Sequence, residues 1–170
     1  ITGQSDLKDI EATTTAALAD LALLDPALTG SANLKVSANG PIEAPKVTAH
    51  LKSRQLTMQG EPVKDLTASA DLTASLTKPA GTIDISATFR DQPLPGHAGF
   101  SSDEPGPRRV DDIQLTTGQS RITGALALDG NGTPSGSLAI TLPDLAEIAP
   151  LLLQKLAGAL DATIDLSSES

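Results

Sequence analysis

Apolar and polar residues alternate with period two along most of the chain. Leu34, Val36 and Ala38 interleave with Lys35, Ser37 and Asn39, and Val47, Ala49 and Leu51 with Lys46, Thr48, His50 and Lys52. Leu66, Ala68, Ala70, Leu72, Ala74 and Leu76 interleave with Thr, Ser and Asp, as do Ile83, Ile85, Ala87 and Phe89. The pattern returns at Ile113 and Leu115, at Ile122, Leu126 and Leu128, at Leu138, Ile140 and Leu142, and at Leu160, Ala162, Ile164 and Leu166. Successive side chains of a strand point to opposite faces, so each run predicts a strand with one aliphatic and one polar face. The stretch 94–100 reads as a looser strand followed by a loop through 101–107. This counting gives about nine strands.

Turn chemistry separates the runs. Asn39-Gly40-Pro41, Gln59-Gly60-Glu61-Pro62, Lys78-Pro79-Ala80-Gly81 and Asp129-Gly130-Asn131-Gly132 all punctuate the alternation. Short connections between strands predict an antiparallel meander. One segment breaks the rhythm. Asp144 through Gly158 predicts a short helical insertion, with Asp144 as N-cap, Glu147 three residues on, Pro150 as a kink or restart, and Gly158 as the stop. Its Leu145, Ile148, Leu152 and Leu156 form an apolar stripe that reads as a plug on the sheet, or as a movable gate.

The chain also repeats itself. Ile1-Thr2-Gly3 recurs as Ile122-Thr123-Gly124, and Asp20-Leu21-Ala22 as Asp144-Leu145-Ala146. Residues 1–30 then read as the end of one repeat, 31–143 as a β meander, 144–158 as the insertion and 159–170 as the start of the next strand. A period this long suggests a segment of an extended array.

Composition narrows the function classes. The 170 residues contain no Cys, Trp or Tyr, two Phe, 12 Lys+Arg and 21 Asp+Glu, for a formal charge of −9. Cysteine-ligated zinc, redox dithiols and disulfides are excluded. A nucleic-acid partner is not expected from an acidic chain with almost no rings to stack on bases. The aliphatic stretch 142–160 is interrupted by Pro, Gly and charged residues and does not read as a membrane span. No catalytic, metal or cofactor site is expected. His50 and His97 lie far apart and read as ordinary surface residues. Asp103-Glu104 and Asp111-Asp112, beside Arg108-Arg109, read as solvated loop charge, with a weak calcium site as the sharper alternative. Gly130-Asn131-Gly132 lacks the Lys-Ser/Thr of a phosphate loop and reads as a hairpin turn.

Residues 28–51, with Val63-Lys-Asp-Leu-Thr-Ala-Ser-Ala-Asp-Leu72, Val110-Asp-Asp-Ile-Gln-Leu115 and Ile122-Thr-Gly-Ala-Leu-Ala-Leu-Asp-Gly130, resemble the recurring phrase of the TamB family of AsmA-like envelope proteins. The resemblance covers nearly the whole chain and is weakest over 91–108. It implies an all-β, mainly antiparallel, long curled sheet (a "β-taco") with an aliphatic inner face. It implies a periplasmic location, in a protein held in the inner membrane by an N-terminal helix outside this sequence. The implied partners are phospholipid acyl chains, a TamA-like outer-membrane barrel contacted through other parts of the protein, and unfolded outer-membrane proteins. The implied function is lipid transport between the two membranes, outer-membrane protein assembly, or both. A strand scaffold for outer-membrane proteins and a repetitive surface adhesin are the alternatives. On the transport reading, the large aliphatic residues of the alternating runs, together with Phe89, line a lipid groove.

Overall fold

The computed structural model describes residues 8–23, 25–103, 106–149 and 156–167. The alternating runs form one open, curled antiparallel sheet of eleven strands. In chain order these are β1 (Asp9–Leu18), β2 (Leu28–Gly30), β3 (Ala32–Pro41), β4 (Lys46–Met58), β5 (Glu61–Thr73), β6 (Ala80–Phe89), β7 (Gln92–Ser102), β8 (Arg108–Thr117), β9 (Ser120–Leu128), β10 (Pro134–Leu142) and β11 (Leu160–Leu166). The spatial order follows the sequence from β3 to β11, with β1 beside β3 and the short β2 paired to the end of β4. Among the described residues, strands pack extensively only on their hydrogen-bonded neighbours, so no second sheet covers the first.

The two ends of the strands differ. At one end, β4–β5 and β6–β7 are joined by two-residue turns whose central residues, Gln59-Gly60 and Arg90-Asp91, all have positive φ. This geometry suits the right-handed twist of paired strands. The opposite end carries the longer loops 42–45, 74–79, 103–107 and 129–133. At the turn end a 3-10 turn, Leu21–Leu23, packs Leu21 on the aliphatic face, and β2 extends the sheet beside β4. There Leu21, Ala32, Leu56, Val63, Ala87, Phe89 and Leu94 form the buried core. Phe89 is 1% exposed and Val63 2%. A four-residue helix, α1 (Leu145–Ile148), lies at the same end and buries Ile148 and Ala149.

Five sequence expectations are corrected. The sheet has more strands than the nine expected, because β1 and β2 arise from residues read as the tail of a preceding repeat. The inward positions of β1 are Ile10, Ala12, Thr14, Ala16 and Leu18, too weakly apolar to stand out as a strand. Leu76 does not line the sheet: β5 ends at Thr73, and Ser75 Oγ accepts hydrogen bonds from the Thr77 and Lys78 amides to shape a loop. Leu76 sits in that loop, 91% exposed. Asp111 and Asp112 are not loop residues but part of β8. The looser stretch after Gln92 is a full strand, β7, continuing through Ser102. Helix α1 is shorter than the predicted insertion over the described residues; Leu152 and the expected kink at Pro150 lie outside them.

Candidate functional site

Register places the predicted aliphatic residues on one continuous face. One cross-strand row runs Ala16–Leu34–Leu51–Ala68–Ile85–Gly96–Leu115–Ile122–Ile140–Ala162 through ten strands. At about 4.8 Å per strand, such a row would span roughly 43 Å if flat. A second row, nearer the loop end, runs Ala38–Val47–Leu72–Gly81–Phe100–Val110–Leu126–Gly136–Leu166. Glycines stand between large neighbours in both rows. A Cβ at Gly96 would meet Leu115 Cδ1 at 3.2 Å, and one at Gly81 would meet Leu72 Cδ2 at 2.7 Å. The space that glycine opens is therefore filled by adjacent leucines.

Two bulges keep the face continuous, and strict alternation does not foresee them. Val63 and Leu66 are three residues apart, as are Val110 and Ile113, so a regular strand would send each pair to opposite faces. The register shifts between Lys64 and Thr67 on β5, and between Val110 and Ile113 on β8. Asp65 and Asp112 take positive φ there, 50° and 51°. Aspartate tolerates this left-handed conformation better than most residues. Val63 is in the core and Leu66 packs against it, so β5 keeps both on the same side. The sequence signal was the shared Val-x-Asp-Leu/Ile phrase, which breaks the period by one.

Much of this face is open. Ile164 and Leu128 are each 42% exposed, and Ile83, Val110, Leu160 and Leu166 are similarly open. By contrast, Phe89 is core rather than lining. The total accessible surface is 11032 Å², whereas a compact monomer of 17.3 kDa should expose about 7,800 Å². The surplus is what a single-layer sheet with an uncovered apolar face produces.

The turn end is fastened instead. Arg90 donates to Glu61 Oε1 at 2.9 Å and to the Ala146 carbonyl of α1 at 3.0 Å, with its guanidinium 5.4 Å from the Phe89 ring centroid. The Arg90 hydrogen bond holds the Glu61 carboxyl below the usual range. The strands following Arg90 and preceding Ala146, β7 and β10, are three strand spacings apart, about 14 Å in a flat sheet. Curl and the reach of the arginine close that gap. The repeated Asp-Leu-Ala phrase is also repeated in structure. Asp20 Oδ1 accepts from the Ala22 amide at 2.9 Å, and Asp144 Oδ1 from the Ala146 amide at 2.8 Å. Each caps the connector that follows a strand at this end.

The opposite face is polar. His97, read from sequence as an isolated surface residue, contacts two carboxylates. Its Nδ1 lies 2.6 Å from Asp84 Oδ1, and its Nε2 lies 3.6 Å from Asp112 Oδ2, which the β8 bulge brings toward it. Gln114 Nε2 donates to Asp112 Oδ1 at 2.5 Å. The Asp84 hydrogen bond raises the His97 pKa against a smaller opposing effect of burial, with the charges of Asp84 and Asp112 adding to the rise. Carboxylates flank both ring nitrogens, so this arrangement suits a held imidazolium rather than a base poised for a substrate. His50 also stands on the polar face, beside Lys35 across the strand pair. At the glycine-rich turn, the Asn131 and Thr133 amides both donate to Asp129 Oδ1 at 2.8 Å. These bonds hold the Asp129 pKa down and occupy amides that a phosphate would need. Among the described residues no helix is long and apolar enough to cross a membrane.

No curated protein and no solved structure matches this chain. A family match does extend over residues 2–166, nearly the whole length of the sheet just described. The chain belongs to the bacterial family DUF2125, described as an uncharacterized protein conserved in bacteria.

Proposed function

We propose that the aliphatic face of this sheet shields the acyl chains of phospholipids as they cross an aqueous space in the cell envelope. The observation that carries the reading is a continuous aliphatic face across ten strands of a single-layer sheet, on which Ile83, Ile85, Val110, Leu128, Ile164 and Leu166 are each more than a third exposed. Burying a methylene is worth roughly 0.8 kcal/mol. A two-tailed lipid leaving a bilayer therefore needs an apolar surface that nearly compensates it along the whole path, and an open trough does so without the trapping of a closed pocket. The phrase similarity to TamB-like proteins supports a periplasmic site of action, in an inner-membrane-anchored protein that reaches an outer-membrane barrel through other segments. On this reading the protein is a conduit and not an enzyme.

The test is native mass spectrometry of the chain purified without detergent. Adducts of phospholipid mass are expected, and V110D/I164D, which places two carboxylates on the open part of the face, should lose them while keeping its circular dichroism spectrum. A wild-type chain that never carries lipid after incubation with phospholipid vesicles would sink the proposal. A second reading, a scaffold for strands of outer-membrane proteins, draws on the unpaired edges of β1 and β11. Cross-links to unfolded outer-membrane protein from β11, with no lipid bound, would favour it.

A further inference from the structure

We infer that the polar face of β3 and β4 is a docking surface for the phosphate-bearing headgroups of an anionic membrane leaflet. This does not depend on the acyl-chain reading, because it uses the opposite face of the sheet. The chain carries 12 Lys+Arg and a formal charge of −9, yet four of those cations, Lys35, Lys46, Lys52 and Arg54, belong to these two adjacent strands. Register concentrates them further. Lys35 stands opposite His50, and Asn33 opposite Lys52. The two rows read Thr15–Lys35–His50–Ser69 and Ala17–Asn33–Lys52–Thr67, with no carboxylate in either across four strands. The nearest acids in register are Asp71 opposite Thr48 and Glu11 opposite Asn39, toward the loop end, and Asp84, which follows Ser69 on β6 and is engaged with His97, while Asp65 neighbours Arg54 on β5. Among the described residues, none of the four cations forms an ion pair, whereas Lys64, Lys78 and Arg90 each do.

The shape fits the same ligand. An open depression of about 680 Å³ lies over Thr15, Asn33, Lys35, His50 and Lys52, so ammonium groups and neutral hydrogen-bonding side chains share one hollow. From Lys46 to Arg54 the basic positions extend about 27 Å along β4, a footprint matching a plane of headgroups rather than one small anion. Nucleic acid fits less well. It would look for rings to stack on, and of the two Phe, Phe89 is buried and Phe100 lies in the aliphatic row.

Vesicle flotation of the full chain tests the assignment. Vesicles of phosphatidylcholine with one quarter phosphatidylglycerol should carry the protein at 20 mM salt, and pure phosphatidylcholine vesicles should not. A cation near an anionic leaflet strengthens binding about fivefold, so K35S/K52S should weaken it about 30-fold. K78S, in a loop at the far end of β5, should leave it nearly unchanged. Equal binding by K35S/K52S and wild type, or none by wild type, overturns the proposal. Release by inorganic phosphate, but not by chloride at the same ionic strength, would mark a soluble-anion site and overturn the membrane assignment. Equal retention on immobilised poly-glutamate would mark a general polyanion surface and overturn it as well.

Discussion

The turn end and the loop end of this sheet are built from the same strands and reach opposite outcomes. At the turn end the aliphatic positions from β3 to β10 are covered, and only the edge strand β11 leaves Leu160 open. Leu21 packs on them from the β1 side, and α1 approaches from the β10 side under the hold of Arg90. At the loop end the same alternating positions continue as Val110, Leu128 and Leu166, more than a third exposed. The strands carry aliphatic side chains at both ends, so the chemistry of the residues does not separate core from open surface. The connectors do. Asp-Leu-Ala segments at the turn end pack on the face, whereas Ile42 and Leu76, the large apolar residues of the described loops at the other end, are themselves exposed. Stability and any apolar ligand surface can thus reside in one sheet without competing for the same atoms.

The largest expected effect is a core truncation that has no counterpart at the open end. Phe89→Ala should cost about 3–5 kcal/mol, as large-to-small core changes do. Val110→Ala should cost well under that, because Val110 is already 39% exposed in the folded chain. Urea titrations of both variants measure the difference, and equal losses would abolish the distinction between the ends. Next comes the fastening itself. Asp20→Ala and Asp144→Ala each remove a side-chain cap from a turn-end connector and should each cost about 1 kcal/mol by the same titration. An unchanged midpoint in either would show that its connector is not held by that carboxylate.

The smallest effect lies between the two ends, at the β8 bulge where His97 faces Asp84 and Asp112. The His97 pKa is raised on folding, so its contribution is fully present below the ordinary value of 6.5 and is lost as pH rises through the higher folded value. The unfolding midpoint should therefore fall slightly from pH 6 to pH 8, and His97→Gln should flatten that change. A wild-type midpoint that rises over this range would contradict the contact. The group is solvent-exposed, so the change should also shrink in high salt.

The bulges show where reading the chain locally stops working. Val63 and Leu66, or Val110 and Ile113, look out of phase to a strict period of two, yet the sheet keeps them on one side because Asp65 and Asp112 turn left-handed. Leu76 makes the opposite point. It is in phase with β5, but Lys78-Pro79 follows and the chain has already left the sheet. His97 was legible only as an ordinary surface residue, since Asp84 and Asp112 reach it through register rather than through proximity in sequence. The cationic rows of β3 and β4 were visible as alternating Lys and His, but not as neighbours.

By itself, the sequence determined the all-β class and the division into an aliphatic and a polar face, together with most strand positions, because side-chain direction along a strand is a local steric property with period two. Only the tertiary structure decided which end is covered, that Phe89 is core while Ile164 is open, and which charges share a hollow. Those outcomes depend on cross-strand register, on the curl accumulated over many strands and on where two short connectors come to rest, all of which are contacts between residues distant in the chain.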